Sequence, residues 1–403
     1  MTKSDDGADE TFDAGVALFS PGAANDPEPV YQHLREQCPV SAAAGMFGDN
    51  TWYLSRYEDI AWAMRHPEVF SSSAEAVKIG QEHPLIPLQV DPPDHAQFRR
   101  LLDPEFSPRR MAELEPEVRA LTIELIEKFA DADGCDFHTE FATPLPSTVF
   151  LRLLGLPLSD VDKFMQWRDD TVRPRGKTQE EQVERRHAAA SAITRYLEDG
   201  LDAKRADPAD DLLTRIVHGS VNGRPLTRDE QLGICHLQLI AGLDTVTATL
   251  DCMVAYLAQH PERRHALIAN PELVDKAVEE LLRTETPVQV VPRVLAQDFE
   301  LRGEKMQKGE HVVFVIGAAD TDPAEFEDAA TVRFDRAANR HLAFGGGPHR
   351  CLGSHLARME LRVALDEFHR RIPDYELLPD SVINYSAGIR QADHLPLRFT
   401  RSS

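Results

Sequence analysis

The chain has 403 residues, of which 42% are hydrophobic and 28% charged, so it carries enough apolar material for a large buried core. Its 44 basic and 67 acidic side chains give a net charge of −23, which disfavours nucleic acid and anionic membrane as partners. The five cysteines are scattered without a CxxC pair, which favours a reducing compartment and a cytoplasmic location. The first residues lack the apolar core of a signal peptide, and no run of about 18 apolar residues predicts membrane insertion.

The first half of the chain is predicted to be mostly helical. The polar, acidic start predicts a disordered tail over residues 1–25, and the rest reads as a single domain over 26–403 because no linker interrupts it. Alternating aromatic and polar residues in TWYLSRY, residues 51–57, predict a strand. Apolar residues at helical spacing predict a helix within 109–130, and a second long helix is expected over 178–206.

The second half opens with the clearest helix signal. Thr227 and Glu230 form a Thr-x-x-Glu capping box, which predicts a central helix of roughly thirty residues. A further helix is expected over 271–285, short strands with glycine turns over 293–317, and a last helix over 352–371. The fold class expected from this pattern is mainly α with small β-sheets.

A glycine-rich loop with one cysteine, HLAFGGGPHRCLGSHLA at residues 341–357, carries the strongest functional signal. Cys351 stands at the start of a helix and beside His349 and Arg350, and both features stabilise a thiolate. The residues alone leave three interpretations open: a reactive or metal-binding thiolate, a structural cysteine in a glycine turn, and a zinc site that adds His355. A phosphate loop is disfavoured, because the segment does not match GxxxxGK and holds a proline where backbone donors are needed.

The order of residues in this loop is more specific than its composition. Phe344, Gly345, Gly347, His349, Cys351 and Gly353 follow the order F-G-x-G-x-H-x-C-x-G. This order resembles the haem-binding loop of cytochrome P-450, the haem-thiolate monooxygenases, and the chain as a whole resembles soluble bacterial members of the camphor-hydroxylase branch. The resemblance implies a cytochrome P-450 fold with haem b between the central helix and this loop. It also implies that Cys351 is the axial ligand of the iron and that the other loop residues surround it.

The segment AGLDT, residues 241–245 of the central helix, is the second motif. Ala241 and Gly242 are small residues, and by themselves they fit either a groove for a ligand or a close helix crossing. The resemblance implies that both border bound haem and dioxygen. It further implies two catalytic residues: Asp244 relays protons from solvent, and Thr245 holds the hydroperoxide or its water.

Charged residues elsewhere match two further features of the family. Glu280 and Arg283 lie three apart on one helix face, which by itself fits a surface ion pair. The resemblance implies instead the buried Glu-x-x-Arg network of the family, a structural element. Four residues match the family's partners of the haem propionates: His95, Arg99, Arg293 and His349.

No fused reductase is expected, because no GxGxxG follows a strand and no cluster of cysteines is present. The resemblance implies electrons from a separate iron–sulfur ferredoxin and its NAD(P)H-dependent ferredoxin reductase. The expected docking face is a basic patch around the cysteine, opposed mainly by Glu360, although a merely solvated helix face fits as well. The patch comprises Arg340, Arg350, Arg358 and Arg362, together with His341 and His349.

The substrate pocket is expected to be mostly aliphatic, which suits a small or medium apolar molecule such as a terpenoid, a steroid or a fatty acyl chain. Its expected residues are His83, Leu85, Leu237, Ile240, Val288, Gln289, Val291 and Ile389. His83 and Val291 stand where the camphor branch has a tyrosine and an acidic residue, so camphor itself is not expected. His83 and Gln289 are the candidates for holding one polar substrate group, unless their side chains face away.

The activity implied by the resemblance is insertion of one oxygen atom into an unactivated C–H bond. The alternatives are a family member that uses peroxide or couples substrates oxidatively, and a non-catalytic haem sensor. Asp244 and Thr245 favour the oxygen-activating enzyme, because members that use peroxide tend to lose this pair and a sensor does not need it.

Overall fold

Helices make up most of the structure. The computed structural model describes residues 12–45, 48–76, 83–172, 174, 176 and 178–399. The α-helices in these residues are α1 (Ala14–Leu18), α2 (Pro21–Asn25), α3 (Glu28–Gln37), α4 (Tyr57–Ala63), α5 (His95–Leu102), α6 (Pro108–Glu127), α7 (Pro144–Leu154), α8 (Val161–Val172), α9 (Gln179–Ala206), α10 (Leu212–Val217), α11 (Arg228–Gln259), α12 (Pro261–Ala269), α13 (Val274–Glu285), α14 (Ile316–Asp320) and α15 (Ser354–Arg371).

The strands are short. They are β1 (Val40–Gly45), β2 (Gly48–Leu54), β3 (Phe70–Ser71), β4 (Gly134–Asp136), β5 (Ser220–Val221), β6 (Arg224–Pro225), β7 (Val290–Leu295), β8 (Phe299–Leu301), β9 (Glu304–Met306), β10 (His311–Val315), β11 (Tyr375–Leu377) and β12 (Pro396–Phe399). The largest sheet has the order β1-β2-β10-β7-β3, with β10 parallel to β2 and the other pairs antiparallel. A second sheet has the order β11-β12-β4, and β5–β6 and β8–β9 form separate hairpins.

The long helix α11 lies at the centre of the fold. The capping box fixes its N terminus: Thr227 Oγ1 accepts from the Glu230 N–H at 3.2 Å, and Glu230 Oε2 accepts from the Thr227 N–H at 2.8 Å. Helices α7, α9, α13 and α15 pack around it, and its apolar side chains join the largest apolar cluster. By length and composition alone α11 could cross a membrane, but 72% of its apolar window is buried inside the protein, as in a core helix.

The predicted fold class is confirmed, and so are the main elements. The helices expected within 109–130, 178–206, 227–260, 271–285 and 352–371 are α6, α9, α11, α13 and α15. The strands expected over 293–317 are β7 to β10, joined by turns at Gly303 and Gly309, whose φ angles of +89° and +90° favour glycine. The strand expected at 51–57 is β2, which ends at Leu54 because α4 begins at Tyr57.

The N-terminal segment differs from the expected disorder through residue 25. Asp13 caps α1 by accepting from the N–H of Val16 at 3.0 Å, and Leu18 is buried. A β-carbon on Gly15 would lie 2.0 Å from the carbonyl oxygen of Ala44, so α1 packs closely on β1. The acidic composition did not indicate the short apolar face of α1, because that face packs against β1, which lies further along the chain. The predicted tail over residues 1–11 lies outside the described residues.

Candidate active site

The cysteine loop forms one wall of a cavity of about 390 Å³. Cys351 stands three residues before α15 and is exposed at this wall. Its N–H donates to the carbonyl of Phe344, with 2.8 Å between nitrogen and oxygen, which closes the loop on itself. Gly347 has a φ of +62°, and a β-carbon there would lie 2.1 Å from the carbonyl oxygen of Met64. These contacts hold the thiol in one position at the cavity wall.

The surroundings of Cys351 raise the pKa of its thiol, whereas the sequence predicted a stabilised thiolate. Protein atoms around the loop displace water from the thiolate, and this outweighs the Gly353 N–H and the charges of Arg99 and Arg358. Helix α15 begins only at Ser354, so its N-terminal dipole lies further from the sulfur than expected. A thiolate here therefore needs a further positive charge close to the sulfur, as a bound metal ion supplies.

Helix α11 supplies a second wall. Ala241 is exposed although most of the helix is buried, because it faces the cavity, and the Thr245 hydroxyl donates to its carbonyl at 3.0 Å. Gly242 also borders the cavity, but a β-carbon there would lie 2.4 Å from the ring of Phe150 on α7. The close helix crossing, one of the two interpretations left open by the sequence, is therefore what requires this glycine.

The predicted acid–alcohol pair is divided between the wall and the core. Thr245 lines the cavity, whereas Asp244 is buried, 4% exposed, and is not among the lining residues. Successive helical residues point about 100° apart, which explains the separation. The role of Asp244 as a proton relay stays a prediction.

The other walls are largely apolar and come from several distant segments. Of the predicted pocket residues, Leu237, Val288 and Val291 line the cavity. Lining residues that the sequence did not indicate include Met64, Leu88, Phe106, Phe150, Gln238, Thr249, Leu282 and Pro287. Gln238 and Thr249 had a usable signal, because they share one helical face with Ala241 and Thr245. The others had none, since their segments meet only in the folded chain.

The remaining five predicted pocket residues do not line the cavity: His83, Leu85, Ile240, Gln289 and Ile389. Both polar atoms of the Gln289 amide are hydrogen-bonded within the protein. The nitrogen donates to the Tyr31 hydroxyl at 3.0 Å, and the oxygen accepts from the Gly388 N–H at 3.2 Å. It therefore ties segments together instead of facing a substrate. His83 lies 3.5 Å from the carboxylate of Asp229, at the N-terminal end of α11.

The four predicted propionate partners come together at one edge of the cavity: His95, Arg99, Arg293 and His349. The ring centroids of His95 and His349 are 4.3 Å apart. Arg99 donates to the carbonyl of Arg350 at 2.7 Å, which fixes this edge to the cysteine loop. Residues separated by more than 250 positions thus meet where the sequence predicted a common ligand.

The charge of this cluster is balanced only in part by described carboxylates: Arg99 pairs with Asp103 at 2.7 Å, and Nε2 of His349 lies 3.8 Å from Asp91. Arg293 is 7% exposed, donates to the carbonyl of Pro292 at 2.7 Å and forms no ion pair in the described part of the chain. Burial lowers the pKa of Arg293 to about 10. Burial, together with the charges of His349 and Arg99, lowers the pKa of His95 to about 4. An anionic group at this edge would relieve the imbalance.

Glu280 and Arg283 are completely buried. Arg283 donates to both carboxylate oxygens of Glu280 at 3.0 and 2.8 Å, and to the carbonyls of Asp320 and Ala329. Burial opposes ionisation of Glu280, but hydrogen bonds from Arg283 and Arg336 outweigh it and hold the pKa of Glu280 below its usual value. This network ties α13 to the segment that precedes the cysteine loop, a structural role.

The predicted docking patch is partly neutralised. Arg358 donates twice to Glu279, at 2.6 and 2.7 Å, and Arg362 pairs with Glu115. These carboxylates come from α13 and α6, so their position beside α15 had no signal in the local sequence. Arg358 also lies over the ring of Phe344, with 4.4 Å from the guanidinium carbon to the ring centroid. Its charge therefore supports the loop as much as it faces outward.

Glu360 does not oppose the patch as expected. It is 2% exposed, lines the cavity, and burial raises its pKa to about 8, so at neutral pH it is mostly uncharged. Its position on the inner face of α15 explains the error. Two exposed charges of the patch remain: Arg350, which forms no ion pair with a described residue, and Arg340, which pairs with Glu325 while 76% exposed.

The geometry disfavours two alternatives for Cys351, a zinc ligand and a structural cysteine. In the part of the chain that the structure describes, no three His, Cys, Asp or Glu side chains gather as metal ligands do, so a zinc site lacks its ligands. A structural cysteine would be packed in the core, whereas Cys351 is exposed at the cavity wall. A thiol in one wall, small helical residues in another and a cationic edge are the arrangement of a haem-thiolate protein.

Comparison with known proteins gives the family. Residues 138–371 match the family model of cytochrome P450, and the chain belongs to the cytochrome P450 family. It is 35% identical over 374 residues to a mycinamicin IV hydroxylase/epoxidase of Micromonospora griseorubida, covering 89% of this chain and 91% of that protein. It is 32% identical over 355 residues to a steroid C26-monooxygenase of Mycolicibacterium smegmatis, covering 86% and 87%.

A solved structure gives the same result for the fold. CYP109E1 from Bacillus megaterium in complex with testosterone has a TM-score of 0.86 and 28% sequence identity, covering 95% of this chain and all of that one. The chain is thus a bacterial-type P450 monooxygenase, an oxidoreductase. The family implies an iron held in haem through a cysteine thiolate.

Proposed function

We propose that this P450 inserts one oxygen atom of dioxygen into an unactivated C–H bond of a small to medium apolar molecule, such as a steroid, a terpenoid or a fatty acyl chain. One observation carries the proposal: a single cavity of about 390 Å³ has the Cys351 thiol, the Thr245 hydroxyl and a largely apolar lining. The name of one relative, a steroid C26-monooxygenase, supports a steroid as the substrate, and that of another, a mycinamicin IV hydroxylase/epoxidase, supports hydroxylation as the reaction.

The proposed cofactor is haem b. Cys351 would supply the axial thiolate, and the four residues of the cationic edge would pair with the two propionates. The unbalanced charge of Arg293 supports this, because a buried guanidinium without a carboxylate is costly. Gly353 also suits a flat ligand, since a β-carbon there meets no atom within 4 Å. When bound, haem-thiolate iron supplies the activation of dioxygen.

The remaining work falls to residues of the chain itself. Leu237, Val288 and Val291 would bury the apolar substrate and displace water from the cavity. The Thr245 hydroxyl has its proton engaged by a carbonyl of α11, so its oxygen can accept a hydrogen bond at the cavity wall. Asp244, whose side chain points about 100° away from that of Thr245, would deliver protons to that hydroxyl.

The proposed electron donor is an iron–sulfur ferredoxin served by an NAD(P)H-dependent reductase. The exposed charge of Arg350, next to Cys351, is where an acidic ferredoxin would make its closest approach. The proposed location is the cytoplasm, where free cysteines such as those of this chain remain reduced.

The proposal is tested first at Cys351. The haem-loaded protein, reduced and treated with carbon monoxide, is expected to give the red-shifted absorption band of thiolate-ligated ferrous haem. Cys351→Ser removes the thiolate, so both this band and NAD(P)H-dependent product formation should disappear. Cys38→Ser changes a half-buried cysteine that is not among the described lining residues and should keep both.

Two results would contradict the proposal. A thiolate-type band that survives Cys351→Ser would exclude that residue as the ligand. A native protein with the band, supplied with ferredoxin, reductase and isotopically heavy dioxygen, should release a product carrying one heavy oxygen atom. If no steroid, terpenoid or fatty acyl compound in a broad panel is labelled in this way, the proposed reaction is wrong.

A further inference from the structure

Gln238 on α11 is a polar feature of the cavity that the proposed function leaves unused. The residue is 6% exposed and lines the cavity, and its amide makes no hydrogen bond within the described residues. Among the described lining residues it is the one side-chain amide. Its nitrogen and oxygen are not among the fully buried side-chain atoms that lack a partner, so the amide is open to the cavity. A ligand that displaces water from such an amide has to replace the hydrogen bonds of that water. The missing partner is therefore expected on the molecule that fills this part of the cavity.

The position of Gln238 on the helix gives the distance between that partner and the reaction site. Gln238 and Thr245 are seven residues apart, which is two helical turns, so they share one face and are separated by about 10 Å along the axis. Ala241 lies between them and is exposed at the same wall. A substrate group bound to Gln238 would thus lie two turns from the hydroxyl proposed to act in the reaction.

The chemistry of the amide selects the substrate group. It both donates and accepts hydrogen bonds and carries no charge at any physiological pH, so it suits a ketone, hydroxyl or lactone oxygen. A carboxylate beside this neutral amide would gain no ion pair from it and would still lose its hydration. The cationic side chains of the lining all come from segments other than α11: His95, Arg99, Arg293, His349 and Arg350. Neutral oxygenated molecules are therefore favoured over free fatty acids.

We infer that Gln238 binds the single polar oxygen of a neutral, elongated, mainly apolar substrate and directs oxidation towards the opposite end of the molecule. This inference rests on the proposed function and narrows its substrate class to oxygenated steroids, terpenoids and similar neutral molecules. Gln238 acts as a specificity-determining residue and takes no part in proton delivery.

The test uses matched ligand pairs with the haem-loaded protein: androstanone with androstane, and dodecanol with dodecane. Binding is read from the substrate-induced spin-state change in the haem spectrum and, independently, from the rise in Tm. One neutral hydrogen bond corresponds to roughly a three- to tenfold difference in Kd. The native protein should prefer the oxygenated member of each pair, and should bind dodecanol more tightly than dodecanoic acid.

Gln238→Leu should reduce the preference for the oxygenated member by roughly three- to tenfold and broaden the positions at which the steroid ketone is oxidised. Leu237→Ala, the neighbouring change in the same wall, should weaken both members of a pair alike and leave the preference intact. An unchanged preference in Gln238→Leu, or no preference in the native protein, overturns the inference. Absence of the thiolate-type band in the native protein would overturn the proposed function instead, and the Tm measurement still decides the role of Gln238.

Discussion

At the scale of single residues, Cys351 and Arg293 are the two positions that point to a ligand of mixed charge. Burial raises the pKa of the Cys351 thiol at the cavity wall, and the buried guanidinium of Arg293 forms no ion pair with a described residue. A group that is cationic at its centre and anionic at its rim satisfies both positions. The haem that the family implies has this distribution, so Cys351 and Arg293 are both consistent with it.

Substitution of Thr245 tests whether its hydroxyl has the proposed catalytic role. Thr245→Ala removes the hydroxyl at the cavity wall and should reduce the ratio of product formed to NAD(P)H consumed by on the order of 10- to 100-fold. Thr245→Ser keeps the hydroxyl and should retain most of that ratio. Both quantities are measured in the same assay with ferredoxin and reductase. An unchanged ratio in Thr245→Ala would mean that this hydroxyl does not control proton delivery.

Substitution of Gly242 tests how closely α7 and α11 pack behind the same wall of the cavity. A β-carbon 2.4 Å from the Phe150 ring would overpack the crossing of α7 and α11, so Gly242→Ala should lower the free energy of unfolding by about 1–3 kcal/mol. Urea denaturation measures this loss. Phe150→Leu makes room for the methyl group, so the double variant should be more stable than the sum of the two single losses predicts. Strict additivity would show that the loss in Gly242→Ala does not arise from contact with the Phe150 ring.

At the scale of elements, helix α15 borders the cavity with one face and forms ion pairs with neighbouring helices from the other. Its inner face carries Glu360 to the cavity, and its outer face carries Arg358 and Arg362, which pair with α13 and α6. The helix therefore links the cysteine loop to two neighbouring helices. Charge reversals on its outer face consequently affect stability, whereas a reversal of Arg350 in the preceding loop, an exposed residue that also borders the cavity, breaks no ion pair with a described residue.

This difference predicts separable effects on reduction by ferredoxin. Arg350→Glu reverses an exposed charge beside the cysteine and should slow reduction by about tenfold at low salt, without changing the unfolding free energy. Lys305→Glu makes the same change in net charge on the exposed β9 hairpin and should leave the rate nearly unchanged. Stopped-flow reduction at several ionic strengths measures both. Equal slowing in the two variants would mean that net charge, and not a docking face, controls the encounter.

Arg358→Glu should behave differently, because it places a carboxylate against Glu279 in a half-buried position. Its main expected effect is a loss of stability of about 3 kcal/mol, measured by urea denaturation. Arg358→Gln keeps most of the packing over Phe344 and should lose less. A fully stable Arg358→Glu protein with slow reduction would return Arg358 to the docking face.

At the scale of the whole molecule, the sequence predicted features that depend on neighbouring residues and missed those that depend on contacts between distant segments. The capping box of Thr227 and Glu230 is local and predicted the start of α11, and the cysteine loop is a contiguous pattern. The contact of Arg358 with Glu279 joins positions 79 residues apart, and no local pattern indicates it. The error at Glu360 has the same origin, because its burial depends on helices that meet α15 only in the folded chain.

The substrate wall shows the same limit. The sequence indicated Gln289 as the polar contact, but its amide is used by partners far away in the chain. Gln238 could have been found, since its spacing of seven residues to Thr245 puts both on one helical face. Periodicity within one element was therefore informative, and contacts between elements were not.

Glu279 holds distant segments of the fold together. It connects α13 to α15 through Arg358 and to the cysteine loop through His341. Burial opposes ionisation of Glu279, but these donors outweigh it and lower its pKa from 4.5 to about 2. A carboxylate with a lowered pKa stabilises the folded chain at pH values above 4.5, its unfolded value. The stabilisation is lost progressively as the pH falls from there towards 2.

We therefore expect Glu279→Gln to lower the free energy of unfolding by about 2 kcal/mol at neutral pH, less than full linkage because the side chain is partly exposed. The difference between native and variant protein should shrink once the pH falls below 4.5. Urea titrations across the range from neutral to acidic pH measure it. Glu113→Gln, which removes a carboxylate paired with the exposed Arg109, should cost less than about 0.5 kcal/mol. A Glu279→Gln deficit that stays constant or grows under acid would mean that Glu279 is not held ionised by its donors.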